Sequence, residues 1–351
     1  MQRAGLIFIL FSLLVLSFNK KKLTLYKFPE PKFFPKMPIA SINPVTIEGA
    51  NLGKHLFYDP VLSSDSTMSC ASCHHQKNAF SDWPNSFSKG RNGTLLKRNT
   101  MPLFNLAWYP SFFWDGRASS IEEQVFHPVR EYNEMNLDWK SAAKRIEQNK
   151  FYKNQFIEVF GSPKIDSVQI SFALAQFLRT LISFQSKYDL VMDGKILFTK
   201  EEYEGFILVN DQTKGDCIHC HNTDGDALGT TLVFTNNGLD AVTNANDYKD
   251  QGRGSVTGKT TDYGKFIVPS LRNLAFTAPY MHDGRFFTLE EVIDFYSEGV
   301  KLCANLDSKM EYAHRGGVKL SPEEKKKIIA FLLTLSDSSF ISNPQFSNPF
   351  E

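Results

Sequence analysis

The sequence predicts a mainly helical protein in which one structural plan is written twice, on three observations. The pentapeptide Cys-x-x-Cys-His stands at 70–74 as CASCH and again at 217–221 as CIHCH. An Asp-Gly-Arg turn that opens a helix stands at 114–124 (WDGRASSIEEQ) and again at 282–292 (HDGRFFTLEEV). Alternating apolar and polar runs that would mark strands are scarce, whereas apolar positions recur at helical spacing.

Taken along the chain, the first element is MQRAGLIFILFSLLVLSFNKKK. Its apolar run from Ala4 to Phe18 is short for a bilayer and follows Arg3, so residues 1–22 read as an export signal. With no Ala-x-Ala site and lysines directly after the run, an uncleaved N-terminal anchor stays open. Either way the protein is expected outside the cytoplasm, in the periplasm. GKHLF at 53–57 and GKILF at 194–198 are expected to introduce the two motifs. Downstream, Asn105, Leu106, Ala107, Asp115, Gly116, Arg117, Glu122 and Glu123 recur at a constant offset as Asn273, Leu274, Ala275, Asp283, Gly284, Arg285, Glu290 and Glu291, which marks an internal repeat. Ser120 with Glu123, and Thr288 with Glu291, form capping boxes. DSVQISFALAQFLRTLISF from Asp166 carries an apolar helical face. SPEEKKKIIAFLLTL places Pro322 at the first helical position, with Glu324 closing a box on Ser321. SKYDLVMDG at 186–194 is the expected junction, giving one unit over 40–188 and a second over 189–340.

A chain of 351 residues, 42% hydrophobic, can build two cores. Its net charge of +1 and the absence of a basic run interleaved with aromatics argue against nucleic-acid binding. Four of the five cysteines belong to the pentapeptides. Cys303 is left over and reads as a buried, inert thiol.

Cys-x-x-Cys-His is the attachment signature of c-type haem, in which two thiols bond the porphyrin vinyls and the adjacent His ligates the iron. Paired Cys-x-x-Cys units also bind zinc. Two copies in an exported chain, each retaining the His, favour haem. The fold class is therefore all-α, as two tandem cytochrome c-like domains that each enclose one covalently bound haem c. Candidates for the second axial position are Tyr296, Met310 and His314 in the second half, and Met101 and His127 in the first. A haem for electron transfer wants two strong ligands, and one for chemistry wants an open side. Only the first half carries Gln124, whose counterpart is Val292, and Glu134. A carboxylate beside an open iron can move a proton between the oxygens of bound peroxide, although most Glu side chains are simply solvated. Arg117 and Arg285, by their charge, are expected near haem propionates.

On both haem motifs, FFWDGRASSIEEQ and VPSLRNLAFTAPYMHDGRFFTLEEV, the chain over roughly 45–340 resembles the bacterial dihaem cytochrome c peroxidases, in their MauG-like branch. The resemblance implies proximal iron ligands His74 and His221, thioethers at Cys70, Cys73, Cys217 and Cys220, an interhaem tryptophan at Trp114, and a peroxide site at Gln124 and Glu134. It also implies an interhaem calcium ion at Asn99, Thr277 and Pro279. Three positions depart from the wider family. Arg91 stands near the place of a distal His, so the first haem is expected open. Tyr296 stands where a Met usually ligates the second iron, as in the MauG-like branch. Gly215 replaces a Trp of the methylamine enzyme. The implied function is reduction of hydrogen peroxide with electrons from a small c-type cytochrome or other donor. Peroxide-driven oxidation of a partner protein and pure electron transfer are the alternatives, and a homodimer is common in the family.

Overall fold

The computed structural model describes residues 22–38, 40–222 and 228–351, so the expected leader lies outside the described residues except for Lys22. The helices, in chain order, are α1 (Ile47–Tyr58), α2 (Ile121–Gln124), α3 (Phe126–Arg130), α4 (Trp139–Gln148), α5 (Lys150–Phe160), α6 (Ser167–Thr180), α7 (Lys187–Met192), α8 (Lys200–Asn210), α9 (Gly254–Thr257), α10 (Leu289–Asp294), α11 (Pro322–Leu333) and α12 (Ser338–Ile341). Among the described residues the only sheet is a two-residue antiparallel pair, β1 (Phe234–Thr235) with β2 (Phe266–Ile267). None of the described helices is long and apolar enough to cross a membrane.

Two helix crossings organise the chain, and both are built the same way. α1 lies on α6 and α8 lies on α11. A Cβ added at Gly53 would sit 1.9 Å from the Ala173 carbonyl oxygen and 2.9 Å from Phe177 Cβ. At Gly205 it would sit 1.9 Å from the Lys327 carbonyl oxygen and 2.9 Å from Phe331 Cβ. Glycine lets each pair of backbones approach to a distance that no side chain permits. This corrects the expected pairing of GKHLF with GKILF. Gly194 follows α7 in a left-handed turn (φ +72°) with open space around it, so the counterpart of Gly53 is Gly205. The shared Gly-Lys dipeptide misled because the crossing requires a glycine inside a helix, whatever residue follows it.

Capping follows the sequence with one shift. Thr288 with Glu291, and Ser321 with Glu324, close full boxes over α10 and α11. Ser120 accepts from Glu123 N, but the Glu123 carboxylate reaches back to Ser119 N (2.8 Å) instead of to Ser120.

The first core gathers Leu52, Phe57, Phe80, Ile146, Phe156, Leu174 and Phe177, and the second Val209, Ile328, Phe331 and Leu335. They exchange residues at the junction. Tyr188 packs into the second core, while Phe340 and Phe346, after α11, return to the first. Two left-handed asparagines tie the seam. Asn105 (φ 55°) takes Ser183 N on Oδ1 (2.9 Å) and donates to Ser183 O (3.1 Å). Asn273 (φ 62°) takes Asp337 N on Oδ1 (2.9 Å) and donates to Ser183 Oγ (3.0 Å). The buried Asp337 carboxylate accepts from Phe184 N, Gln185 N and Phe340 N. Residues 28–37 cover this seam, where Phe28, Phe34 and Met37 pack with Trp108 and Ile182, and Trp108 Nε1 donates to Pro35 O (2.8 Å).

Gly205→Ala should force α8 off α11 at a cost of about 1–3 kcal/mol, the usual range for overpacking. A thermal melt of the variant against the parent would measure the loss, and an unchanged midpoint would mean that the crossing relaxes freely.

Candidate active site

Both Cys-x-x-Cys-His segments fold into one tight turn with the same bonds. Cys73 N and His74 N donate to Cys70 O (3.3 and 3.0 Å), and Cys220 N and His221 N donate to Cys217 O (3.2 and 2.7 Å). In each, the imidazole is anchored through Nδ1, with His74 bonded to Phe80 O (2.7 Å) and His221 to Pro269 O (2.9 Å). Donation from Nδ1 fixes the tautomer and leaves the Nε2 lone pair for a metal. Burial pushes both imidazoles down to about 4, so they are neutral near pH 7. All four thiols are free of disulfides, and burial pushes those of Cys70, Cys73 and Cys217 up to about 12.

A largely apolar cavity opens beside the second turn. Cys217, Cys220 and His221 line it together with Tyr296, Met281, Met310, His282, Trp114, Asn99, Thr277 and Pro279. These residues fit a covalently held haem: two thiols, a neutral imidazole with a free lone pair and an apolar chamber for a flat macrocycle. In the first half, Arg91 Nε and Trp139 Nε1 are buried without a partner, as polar atoms facing a prosthetic group would be. The two turns belong to separate cores, and among the described residues no group of three or more His, Cys, Asp or Glu gathers as a zinc site requires.

The distal candidates sort by position. Tyr296 lies in a π-helical turn (Phe295–Gly299) and its hydroxyl accepts from Asn237 Nδ2 (3.0 Å). Burial pushes this phenol up to about 12, with the Asn237 bond acting in the opposite direction. Met310 shares the cavity, whereas His314 is exposed and bonded to Glu311 O. In the first half His127 is exposed with its ring against Phe113 (5.2 Å), and Met101 is half-buried. The Arg91 guanidinium lies over the Tyr132 ring (5.7 Å).

The two Asp-Gly-Arg turns lie against each other. Each is closed by a bridge, Phe112 N to Ala118 O (2.8 Å) and Tyr280 N to Phe286 O (2.7 Å). Each uses a left-handed glycine, Gly116 (φ 68°) and Gly284 (φ 62°), pressed on the opposite half. A Cβ at Gly116 would meet the Phe234 ring at 2.3 Å, and one at Gly284 would meet Ser86 Cα at 2.7 Å. Trp114 O accepts from Ile267 N (2.9 Å) and His282 O from Asn99 N (2.7 Å). At the centre the Trp114 and His282 rings meet edge to face, 6.5 Å between centroids, and His282 stacks on Phe266 at 3.7 Å. Arg98 joins Asp115 (2.6 Å) to Asp250 (2.7 Å), and Arg253 donates to Asp115 O and Gly116 O. Arg117 and Arg285, expected near propionates from their charge, are each engaged by neighbouring carboxylates. Arg117 pairs with Asp115 (3.0 Å) and covers the Phe113 ring, and Arg285 pairs with Asp283 and Asp240. Each arginine thus neutralises the aspartate of its own turn.

Gln124 ends α2, half-buried, and its amide has no hydrogen-bond partner among the described residues. Glu134 follows in the next turn, its N bonded to Glu131 O (3.0 Å). Its carboxyl lies near enough to Cys70 and Cys73 to raise both thiols further. Burial first, then the Glu131 charge, push it up to about 7 against the pull of Arg117. Asn99 donates Nδ2 to Ser86 O (3.1 Å), which turns its Oδ1 away from that carbonyl. Sequence reasoning missed Asn237, Phe266 and Arg98. Nothing local marks them, because their contacts reach across the two halves or across the second cavity.

A Cys-x-x-Cys-His turn built twice, in two halves that meet at an aromatic contact, has the form that a dihaem c-type redox protein requires. The family model for di-haem cytochrome c peroxidase matches residues 47–196. The methylamine utilization protein MauG of Methylophilus methylotrophus is 33% identical over 312 residues, 88% of each chain. Cytochrome c551 peroxidase of Nitrosomonas europaea is 32% identical over 317 residues, 90% of this chain and 86% of that one. The crystal structure of a MauG-like protein associated with microbial copper homeostasis superposes with a TM-score of 0.85 at 32% identity, covering 93% of this chain and 100% of that one. The chain belongs to the di-haem cytochrome c peroxidase family, and its enzyme class is that of the peroxidase oxidoreductases.

The raised Glu134 carboxyl sets a pH dependence. An unfolded glutamate titrates near 4.5 and the folded one at about 7, so the fold favours the protonated form. That stability is fully present below about pH 4.5 and is lost as the pH rises through about 7. Denaturant midpoints of the holoprotein between pH 4.5 and 8 should fall for the parent and stay flatter for Glu134→Gln. Parallel curves would show that Glu134 is solvated.

Proposed function

We propose that the chain reduces hydrogen peroxide to water at a haem held by Cys70, Cys73 and His74. A second haem, held by Cys217, Cys220 and His221, collects electrons from an external donor such as a small c-type cytochrome. The overall reaction combines one peroxide, two protons and two electrons into two waters. Bound haem supplies a redox-active iron that exchanges electrons with peroxide. The protein does the rest. The Glu134 carboxylate would take a proton from one peroxide oxygen and return it to the other, so that the O–O bond can break with release of water while the bound haem supplies the two electrons. The Gln124 amide, without a hydrogen-bond partner among the described residues, would hold the peroxide by donating to it. Trp114, edge to face with His282 at the seam, carries charge between the halves. The single observation that carries this reading is the Glu134 carboxyl, poised near neutrality beside the first motif and absent from the second half.

Each half is read as a cytochrome c-like domain, over 40–188 and 189–340. Tyr296 is read as the distal ligand of the second iron, where a phenolate favours the oxidised states. Calcium is read at the seam, bound by Asn99 Oδ1 and the carbonyls of Thr277 and Pro279, an all-oxygen set that suits the ion. The protein is read as exported to the periplasm. A second reading, peroxide-driven oxidation of a partner protein, is favoured by Tyr296 and by the likeness to MauG. Gly215 weakens it for the route through a tryptophan at that position, since a Cβ there would lie 2.6 Å from Leu208 O.

Glu134→Gln should retain both haems and slow peroxide turnover by about 10²–10⁴, and parent turnover should rise with pH through about 7. Equal rates would overturn the assignment. Rapid turnover with reduced cytochrome c separates peroxidase from partner oxidase. Resting ferric EPR separates both from an electron-transfer cytochrome, because an open first site gives a high-spin signal beside a low-spin one. Chelation of calcium, or Asn99→Ala, should slow charge exchange between the haems without releasing either; unchanged kinetics would remove the ion from the scheme.

A further inference from the structure

We infer that Asn237 is a positioning residue for the second haem: its side-chain amide donates to the Tyr296 oxygen and sets how strongly that oxygen donates to the iron. The inference rests on the reading of Tyr296 as a ligand and adds the group that tunes it.

Asn237 is held where no drift is allowed. Its neighbour Asn236 is buried, donates to Tyr248 OH (2.7 Å) and Ala304 O (3.2 Å), and accepts from Gly238 N (3.0 Å). Gly238 is left-handed (φ +75°), and a Cβ there would lie 2.6 Å from Lys301 O. Lys301 N closes the loop onto Gly238 O (2.8 Å). Tyr296 is fixed from the other side, where its carbonyl accepts from Val318 N (3.2 Å) and stands 2.3 Å from where a Cβ on Gly317 would be. Two rigid loops therefore hold the amide and the phenol 3.0 Å apart.

The direction of the bond is fixed by chemistry. Asn237 Nδ2 also faces Met281 Sδ (3.8 Å). A thioether has no hydrogen to give, so the end of the amide that faces both groups is the NH₂ end, with one N–H for each. The phenol oxygen is thus an acceptor towards Asn237 and, among the described residues, has no acceptor for its own hydrogen. That oxygen faces the cavity lined by Cys217, Cys220 and His221.

An N–H aimed at an ionised oxygen makes a charge-assisted bond that draws electron density from it. A phenolate so engaged donates less to ferric iron, and the haem is easier to reduce than with a bare phenolate. Removing the donor should favour the oxidised state. At a fixed potential the oxidised-to-reduced ratio of the His221 haem should rise about tenfold, equivalent to ~59 mV for one electron.

The test is a double-mutant cycle on the holoprotein with Asn237→Leu and Tyr296→Phe, reading each haem's potential by spectroelectrochemistry and phenolate ligation by resonance Raman. The expected result is a tenfold shift confined to the His221 haem in Asn237→Leu, absent when Phe occupies position 296. Asn237→Ala serves if the leucine variant does not fold. A shift in Tyr296→Phe with none in Asn237→Leu would overturn the role of Asn237 and leave the tyrosine ligand standing. An Asn237 effect of equal size in the Tyr296→Phe background would overturn it as merely structural. No change in the second haem's spectrum on Tyr296→Phe would remove the ligand reading, and this inference with it.

Discussion

The contact of the two Asp-Gly-Arg turns, beside the seam tied by Asn105, Ser183, Asn273 and Asp337, is where the functional rings of one half meet those of the other. Each turn places a left-handed glycine where only a hydrogen fits, so each is pressed onto the opposite half, Gly116 on Phe234 and Gly284 on Ser86. The residue before each Asp then has its carbonyl bonded across the seam and its ring turned inward, which brings Trp114 and His282 edge to face. The arginine is consumed locally. By pairing with the aspartate of its own turn it compensates the charge of the buried Asp115 in the first copy and of the half-buried Asp283 in the second.

The same scaffold gives the halves different chemistry because the residues downstream are free to vary. After the first turn come Gln124 and Glu134, and desolvation raises the carboxyl to where it can both accept and release a proton near neutral pH. After the second come Val292 and Tyr296, with a phenol held by an amide over an apolar chamber. In the proposed function one half would move protons and the other would hold electrons.

Much of this was legible in the sequence wherever the signal is local. The two Cys-x-x-Cys-His turns and the box over α10 depend on residues a few positions apart, and the pairing of Asn105 with Asn273 is read from a run of matches at one constant offset. The pairing of Gly53 failed because a helix crossing asks for a glycine opposite a partner more than a hundred residues away, and the neighbouring lysine was a coincidence of spelling. The aspartate partners of Arg117 and Arg285 were not foreseen, because charge alone does not say which oxygen an arginine finds. Asn237 left no signal at all. Its meaning comes from Tyr296, Met281 and the cavity, which meet only in the folded chain.

The exchange of residues at the junction has a consequence for how the protein is made. Phe340 packs on Phe80 and Phe104, and it is Phe80 whose carbonyl anchors His74. A chain emerging from its N-terminus completes the first Cys-x-x-Cys-His turn and all the surrounding helices before Phe340 and Phe346 have been added. The side of the first core that carries the His74 anchor is thus covered by residues that follow the whole second half in sequence, and the first half is not closed by its own residues alone.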